Sequence, residues 1–237
     1  MKFSIIIPTY NEDKVLERTL RQYQKARKSK RAELIIADGG STDNTLTVAK
    51  RYADKIAVKK QSGPETIAMG RNRGAKLAIG EILIFFDADV IVSNLERLLA
   101  DVEREFKNIK VVAGTSKVLP YPEERTTFDT MFHTAFWWFI CLRNNFGGGA
   151  ARGECQIIRR SAFAKLGGYQ SALGAGEDFE LYNRLAKLGK VINFKVMVFE
   201  SPRRYRKLGY RKVAFAWFKN FVRASSGQPV PKWKAVR

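Results

Sequence analysis

Across residues 1–115, short apolar runs alternate with amphipathic segments, and this alternation restricts the fold more than any other feature of the chain. The apolar runs are predicted strands: residues 3–7, 34–37, 56–58 and 82–86, with a further strand beginning at Val111. The segments between them repeat apolar residues at helical spacing, as in Leu16, Thr19, Leu20 and Tyr23. Successive βα units predict a mainly parallel sheet with helices on both faces.

Two predicted helix starts rest on capping boxes, in which a hydroxyl residue is followed three positions later by an acid. Ser62 with Glu65 predicts a helix that ends at Gly80, and Ser93 with Glu96 predicts the next helix. Both follow short polar segments, as helix starts commonly do.

Beyond Gly114 the pattern changes, and prolines at 120 and 122 indicate a linker. Residues 128–142 are predicted as an aromatic-rich helix, and residues 144–153, which contain three consecutive glycines, as a mobile loop. A strand at 155–158, helices at 161–166 and 177–188, and a strand at 191–199 are expected to follow. We therefore expect a catalytic domain over residues 1–200, divided near residue 115, and a separate segment over residues 201–237.

Asp87 and Asp89 directly follow the apolar run 82–86, which predicts a buried strand ending in two carboxylates. In open α/β sheets, ligands bind outside the carboxyl ends of the strands. Hard oxygen ligands of this kind suit a divalent cation with a phosphate as its other partner. A solvated acidic loop is the alternative. The run Asp87-Ala88-Asp89-Val90 also resembles the D-x-D-x-V/T nucleophile motif of haloacid-dehalogenase-like phosphatases.

The chain carries a formal net charge of +20, which indicates an anionic partner or surface. Residues 201–237 contain 11 Lys or Arg, no Asp or Glu, and seven Tyr, Phe or Trp. Basic residues interleaved with aromatics are typical of a membrane-surface segment, and also of single-stranded nucleic acid binding. A packed helix with a solvated basic face is the third possibility. The longest strongly apolar stretch, residues 131–142, is too short to span a bilayer.

Taken in order along the chain, several motifs resemble those of family 2 glycosyltransferases. They are Ile5-Ile6-Ile7-Pro8-Thr9-Tyr10-Asn11-Glu12, Asp38-Gly39-Gly40-Ser41-Thr42-Asp43, Gly70-Arg71-Asn72-Arg73-Gly74-Ala75, Gly80-Glu81, Asp87-Ala88-Asp89, Gly167-Gly168-Tyr169 and Glu177-Asp178. Each motif alone is weak evidence, whereas the ordered set is specific. The resemblance covers about residues 3–200 and implies the α/β GT-A fold, with residues 1–115 as the nucleotide-binding half and 116–200 as the acceptor half.

The resemblance also implies roles for individual residues. The nucleotide-binding residues would be Pro8, Thr9, Tyr10, Glu12, Asp38, Arg71 and Asp87. Asp89, with Asp87, would hold Mg²⁺ or Mn²⁺. For Asp38, the cap of the following helix is the alternative role, and for Arg71 it is an exposed helix arginine.

On the acceptor side, the resemblance implies that Asp178 is the catalytic base, beside Glu177 and a glycine loop that includes Gly148 and Gly149. A helix N-terminus is expected to favour the ionised form of Asp178, although acids at such a position often only complement the helix dipole. The basic pair Arg203 and Arg204 replaces the family's Q-x-x-R-W pattern, and a contact with the diphosphate is its suggested role.

The expected function is therefore an inverting, metal-dependent glycosyltransferase that uses a nucleotide-diphospho-sugar of the UDP or GDP type. A lipid-linked or glycan acceptor is expected, as is attachment to the inner face of the cell membrane. No signal peptide precedes the first predicted strand, and the spacing of Cys141 and Cys155 matches no metal or redox motif, which together favour the cytoplasm. A nucleic-acid-binding protein is the alternative class, but that function leaves the acidic motifs unexplained.

Overall fold

The computed structural model describes residues 2–60 and 65–225. In the N-terminal half, strands and helices follow in the order β1 (Phe3–Thr9), α1 (Asp13–Arg21), α2 (Gln24–Lys28), β2 (Ala32–Asp38), α3 (Thr45–Tyr52), β3 (Lys55–Val58), α4 (Ile67–Lys76), β4 (Ile82–Phe86), β5 (Ile91–Val92), α5 (Leu95–Glu105) and β6 (Val111–Pro120). The C-terminal half contains α6 (Thr127–Asn145), β7 (Cys155–Arg159), α7 (Arg160–Lys165), α8 (Glu177–Ala186), β8 (Lys190–Glu200), α9 (Arg203–Leu208) and α10 (Tyr210–Ser225).

The strands form one sheet in the order β3-β2-β1-β4-β7-β6-β8-β5. Strands β3, β2, β1 and β4 are parallel to one another, as the βα alternation predicts. Strand β7 runs antiparallel to β4 and β6, β6 and β8 are parallel, and the two-residue β5 is antiparallel to β8. The prediction of an α/β sheet flanked by helices is confirmed. The prediction did not include β5, and it left open the directions of β7 and β8 in the second half.

The helices cover both faces of the sheet. On one face, Leu16 and Leu20 of α1 and Leu98 of α5 pack in the same apolar cluster as the strand residues that point that way. On the other face, α4, α7 and α8 pack against the alternate strand residues. A strand that is buried on both faces must be apolar at nearly every position, which explains the continuous run in β4. Gly74 lets α4 approach β1, because a Cβ there would lie 2.5 Å from Cγ2 of Ile6.

Both capping-box predictions place the helix start too early. The cap of α4 is Thr66, whose hydroxyl accepts a hydrogen bond from the Met69 amide, and the helix ends at Lys76 rather than at Gly80. Ser62 lies outside the described residues. The cap of α5 is Asn94, not Ser93, because the Ser93 amide is still bonded to the carbonyl of Met197 in β8.

Residues 146–153 form no helix or strand, as predicted, but residues 149–152 are buried against the domain. Asn144 lies in α6 and exchanges hydrogen bonds with the backbone of Ala150 in both directions, at 3.1 and 2.6 Å. Ala150 and Ala151 are fully buried. Gly149 has a φ of +62°, and a Cβ there would lie 2.0 Å from the carbonyl oxygen of Tyr182. The glycines therefore allow a close approach of two backbones.

The C-terminal helices dock on α6 through a buried acid and a set of aromatic rings. Asp129 is fully buried, caps the N-terminus of α6 and pairs with Arg206 of α9 and Tyr210 of α10. The Trp217 ring packs 4.9 Å from that of Phe136. One face of α10 is thus packed, as the third interpretation of the basic segment expects. Within residues 2–60 and 65–225, no helix combines the length and apolar character needed to cross a membrane.

Candidate active site

A cleft of about 960 Å³ opens at the carboxyl ends of β1, β2 and β4 and is closed on its other side by α8, α9 and α10. Most of the residues predicted from the sequence line this cleft. They are Pro8, Thr9, Tyr10, Glu12, Arg71, Asp87, Asp89, Glu177, Asp178, Arg203 and Arg204. Sequence positions from 8 to 204 thus meet in a single cavity.

Asp38 lies behind the wall of the cleft and is fully buried. Its carboxylate accepts hydrogen bonds from the Thr9 hydroxyl at 3.1 Å, from the Gly40 and Ser41 amides at 2.9 Å each, and from the Ser41 hydroxyl at 2.6 Å. It does not cap α3, whose cap position is Asn44. The carboxylate instead shapes the backbone turn whose glycines form part of the cleft wall.

Gly148 and Gly149 are not among the residues that line the cleft. Arg143 donates a 2.7 Å hydrogen bond to the carbonyl of Gly148, and Gly149 packs against the backbone of α8 at Tyr182. The structure therefore places these two glycines in the support of α8, away from the predicted acceptor position.

Arg71 joins acids from the two halves of the site. Its side chain is fully buried, which excludes an exposed helix arginine. Nη1 donates to Oε1 of Glu177 at 2.7 Å, while Nη2 donates to Oδ1 of Asp87 at 2.8 Å and to the Gly153 carbonyl at 2.9 Å. Burial alone would lower the pKa of Arg71, but the nearby Asp87 and Glu177 outweigh that effect and raise it. Glu177 is consequently committed to an ion pair and does more than complement the helix dipole.

Asp89 is paired with an arginine from the C-terminal segment. Nη2 of Arg203 lies 3.3 Å from Oδ2 of Asp89 and 3.3 Å from Oε2 of Glu12. Burial raises the pKa of Asp89 to about 6, against the effect of Arg203, and the charge of Asp87 adds to the increase. A cation is therefore favourable at this position.

The residues around Asp89 fit a divalent metal that is shared with a phosphate ligand. Among the described residues, no group of three or more His, Cys, Asp or Glu side chains is arranged to hold a metal ion. Mg²⁺ commonly takes only one or two carboxylates from the protein and completes its octahedron with phosphate oxygens and water. Asp87 and Asp89 supply such a pair of hard oxygen donors at the end of β4.

Asp178 lies across the cleft in the first turn of α8, where its Oδ1 accepts a 2.8 Å hydrogen bond from the Phe179 amide. Its pKa is raised to about 8, first by burial and then by the charge of Glu177. The Phe179 amide at the helix N-terminus lowers the pKa of Asp178, as expected, but burial and the charge of Glu177 have the larger effect. A carboxylate with a pKa near neutrality is well suited to accept a proton.

A second buried cluster in the cleft was missed by the sequence analysis. Nη2 of Arg152 donates to Oε1 of Glu154 at 3.0 Å, to Oε1 of Glu200 at 2.5 Å and to the Tyr205 hydroxyl at 2.8 Å. Nη1 of Arg152 lies 2.9 Å from Nδ1 of His133. Burial and the Arg152 charge lower the pKa of His133 to about 3, so the ring is neutral and accepts from Arg152.

The direction of β7 explains why this cluster was missed. Because β7 is antiparallel to β4, the start of β7 lies at the same sheet edge as the end of β4. Glu154 directly precedes β7, so it reaches the cleft from the amino end of a strand. The sequence does show an acid, Glu154, directly before the predicted strand 155–158. That acid could be assigned to the cleft only when the direction of the strand was known.

The charge of the cleft differs from the charge of the whole chain. Among the described residues that line it, eight are acidic and five are Lys or Arg, although the chain as a whole is strongly basic. The acids are Glu12, Glu65, Asp87, Asp89, Glu154, Glu177, Asp178 and Glu200. The cleft therefore requires cations for an anionic ligand to bind, and the basic excess lies elsewhere on the surface.

The α/β sheet, with the acid pair at the end of β4 and the acid on α8 across the cleft, has the arrangement of the GT-A fold. Residues 4–167 match the Glycosyl transferase family 2 model, and the chain belongs to this family. This membership excludes the phosphatase interpretation of Asp87-Ala88-Asp89-Val90.

Individual relatives agree with the family assignment. The chain is 27% identical over 238 residues to 4,4'-diaponeurosporenoate glycosyltransferase of Staphylococcus haemolyticus. This alignment covers 95% of this chain and 63% of that protein. It is 30% identical over 191 residues to the succinoglycan biosynthesis protein ExoA of Rhizobium meliloti, covering 78% of this chain and 58% of that one. The chain thus spans less than two thirds of the length of these relatives.

The fold matches a solved mannosyltransferase, PcManGT from Pyrobaculum calidifontis in complex with GDP-Man and Mn²⁺. The TM-score is 0.74 at 20% identity, and the match covers 97% of this chain and 66% of the other. Residues 1–349 of Staphylococcus aureus TarS, in complex with UDP-GlcNAc, match with a TM-score of 0.64 at 19% identity, and the match covers 85% of this chain and 58% of that fragment. These likenesses confirm the predicted GT-A fold.

Proposed function

We propose that the protein is an inverting, metal-dependent glycosyltransferase that moves a sugar from a nucleotide-diphospho-sugar to an acceptor hydroxyl. One observation carries the proposal: the acid pair Asp87 and Asp89 and the acid Asp178 face the same cleft from opposite sides. The complexes of similar structures with GDP-Man and with UDP-GlcNAc support a sugar nucleotide as the donor.

The nucleotide part of the donor is assigned to the wall formed after β1 and β2. Pro8, Thr9 and Tyr10 line this wall, together with the turn that Asp38 holds in shape. Tyr10 is 46% exposed at the cleft, so its ring is available to contact a base. Asp38 then acts through the backbone of the turn, and Arg71 acts by holding Asp87 in place.

The diphosphate is assigned to the end of the cleft that contains Asp89. Asp89 and Asp87 would hold Mg²⁺ or Mn²⁺ there, and Mn²⁺ is present in the complex of PcManGT. A bound divalent cation supplies positive charge that stabilises the diphosphate as it leaves. Arg203 already lies beside Asp89, and Arg204 lines the same cleft, so both are in place for phosphate contacts.

Asp178 is assigned as the catalytic base. It accepts the proton of the acceptor hydroxyl while that oxygen forms a bond to the anomeric carbon. The bond from the anomeric carbon to the diphosphate oxygen breaks, and its electron pair leaves with the diphosphate. Attack from the side opposite the leaving group inverts the configuration. Asp178 lies across the cleft from Asp89, as this geometry requires.

An exposed apolar surface supports attachment to a membrane. We name this surface, formed by α6 and α10, the aromatic face. Its members Trp138, Leu142, Phe146, Phe215 and Phe218 are each more than half exposed. Such a large exposed apolar patch indicates an interaction site. Lys212, Lys219 and Arg223 belong to the same helix as Phe215 and Phe218, and anionic lipid attracts each nearby basic residue by about 1 kcal/mol.

The aromatic face continues into the cleft, which favours an acceptor that is delivered from the membrane. Phe136 on α6 and Trp217 on α10 line the cleft, while exposed residues of the same two helices form the aromatic face. A lipid-linked acceptor would keep its apolar part in the bilayer and present its hydroxyl to Asp178. The free thiols of Cys141 and Cys155 fit a reducing compartment, so the proposed location is the cytoplasmic surface of the membrane.

A thermal-shift screen of UDP-, GDP- and dTDP-sugars, each with and without Mn²⁺, tests the donor. A ligand that binds the folded state at 100 times its Kd stabilises it by about 2.7 kcal/mol. We expect one nucleotide class to raise the Tm, and to do so more strongly with Mn²⁺. If no sugar nucleotide shifts the Tm under either condition, the proposed function is wrong.

A further inference from the structure

The segment 152–154 crosses the floor of the cleft between the two sets of acids. The Gly153 carbonyl accepts the 2.9 Å hydrogen bond from Arg71, and a Cβ built on Gly153 would lie 3.6 Å from Oδ2 of Asp178. On the other side, Arg152 reaches Glu200 at the end of β8. Glu154 follows directly and also lines the cleft. It has no part in the mechanism described above.

The Glu154 side chain is a fixed, ionised hydrogen-bond acceptor. It is more than nine-tenths buried, and its Oε1 is held 3.0 Å from Nη2 of Arg152. Burial would raise its pKa, but the charges of Arg152 and Arg204 lower it to about 2. The neighbouring Glu200 has a raised pKa, caused mainly by burial.

Glu154 also lies between the two ends of the proposed reaction. Phe86 of β4 pairs with Cys155 of β7, so Glu154 lies opposite Asp87 at the end of β4, while the adjacent Gly153 lies close to Asp178. In an in-line displacement, the sugar ring lies between the leaving diphosphate and the attacking hydroxyl. Asp89 marks the diphosphate end and Asp178 the hydroxyl end, which leaves the sugar next to Glu154. Sugar hydroxyls are hydrogen-bond donors, and a carboxylate held in position is a strong acceptor.

We propose that Glu154 binds a hydroxyl group of the donor sugar and determines which sugar is accepted, with Arg152 as its positioning residue. This inference rests on the proposed function, because it requires a sugar nucleotide in the cleft. A site built to hydrogen-bond a substrate hydroxyl discriminates strongly against a ligand that lacks it, because the buried acceptor is then left unpaired.

The test compares Glu154→Gln with the wild-type protein in calorimetric titrations with Mn²⁺. Two ligand pairs are used, UDP with UDP-glucose and GDP with GDP-mannose. For the pair that the wild type binds, we expect the Kd of the sugar nucleotide to rise about tenfold or more in the variant, since a hydrogen bond to a charged group is lost. The Kd of the nucleoside diphosphate should stay within about twofold, because that ligand has no sugar to contact Glu154.

Two further variants separate the carboxylate's role from the integrity of the cluster. Glu200→Gln is the matched control, since it alters the other acid on Arg152 without removing the ionised one, and it should leave the ratio of the two Kd values unchanged. Glu154→Asp keeps the charge but shortens the side chain by one methylene, and it should weaken only the sugar nucleotide. It replaces Glu154→Gln if that variant does not fold.

Three results would overturn the inference. Equal weakening of both ligands by Glu154→Gln would show that the cluster supports the cleft in general, and unchanged affinities would show that Glu154 contacts no sugar. The same selective loss in Glu200→Gln would assign the effect to the cluster rather than to Glu154. A wild-type protein that binds none of the UDP-, GDP- and dTDP-sugars would contradict the proposed function itself, and the inference with it.

Discussion

Nη1 of Arg71 donates a 2.7 Å hydrogen bond to Oε1 of Glu177, although the two residues are 106 positions apart in the chain. The pair connects α4 of the N-terminal half to α8 of the C-terminal half. The same guanidinium also holds Asp87, so the acid near the proposed metal and the acid beside the proposed base share one cation. The geometry of the site therefore depends on a residue that we assign neither to the metal nor to the proton transfer.

Replacement of Arg71 by Met should destabilise the fold strongly. It leaves Glu177 buried without its cation, and breaking a buried ion pair by removing one partner costs about 3–5 kcal/mol. Urea unfolding measures the effect. Arg97→Met is the control, since Arg97 is 67% exposed and Asp101 keeps Arg104 as a partner. Its cost should stay below about 1 kcal/mol. Equal losses in the two variants would show that the buried pair has no special role.

Replacement of Asp178 by Asn should remove transfer while sparing donor binding. General-base catalysis contributes about 10²–10⁴-fold to rate, and an amide cannot accept the hydroxyl proton. Steady-state kinetics should show the loss in kcat, and calorimetry should show a Kd for the sugar nucleotide within about twofold of the wild type. Normal turnover in this variant would remove Asp178 from the mechanism.

The raised pKa of Asp178 predicts two effects of pH. The base must be ionised, so kcat/KM should increase with pH and reach half its plateau near pH 8 in the free enzyme. The pKa of Asp178 in the folded state lies above its ordinary value of 3.8, so between these two pKa values the folded state holds a proton that the unfolded state has lost. The folded state is therefore destabilised as the pH rises from the lower value to the higher one.

The substitution Asp178→Asn removes this loss of stability at high pH, because the amide does not ionise. Its Tm should therefore exceed the wild-type Tm at pH 8.5, where the wild-type acid is ionised, and should equal it near pH 4, where the acid is protonated in the folded state. Thermal unfolding at the two pH values checks this. A larger gain at the acidic end would show that the direction of the pKa shift is wrong.

Replacement of Asp89 by Asn should weaken the part of donor binding that depends on metal. The amide has no charge to offer a divalent cation, and the loss of one carboxylate leaves Asp87 as the remaining ligand of the pair. Electron paramagnetic resonance of Mn²⁺ with UDP or GDP would show less bound metal in the variant. Glu123→Gln, an exposed acid outside the cleft, is the control and should behave as wild type. Unchanged Mn²⁺ binding in Asp89→Asn would exclude Asp89 as a ligand.

Substitution of Phe215 and Phe218 by Ser should release the protein from membranes. Both rings are about two-thirds exposed on the aromatic face, and each buried aromatic contributes about 1.5–3 kcal/mol when it leaves water. Flotation with vesicles that contain anionic lipid at low salt measures attachment. Ile109→Ser is the matched control, because Ile109 is 76% exposed at a site between α5 and β6. A wild-type protein that stays with the unbound fraction would contradict membrane attachment.

The sequence by itself determined the first half of the fold and most of the site. Parallel strands buried on both faces must be nearly all apolar, so β1, β2 and β4 were visible as runs, and their carboxyl ends were known to share one edge. That rule was sufficient to bring Pro8, Asp87 and Asp89 together. The ordered motifs added Asp178, which lies across the same cleft.

Tertiary structure alone decided the features that depend on strand direction and burial. Glu154 joins the site because β7 runs antiparallel to β4, and a short apolar run does not encode its direction. The pKa of Asp178 rises because burial and Glu177 outweigh the helix N-terminus, and burial is a property of the assembled cleft. Arg71, predicted to bind the nucleotide with an exposed helix position as the alternative, is buried between Asp87 and Glu177 for the same reason. Local patterns specify which residues end a strand, whereas the folded surroundings determine their partners and charges.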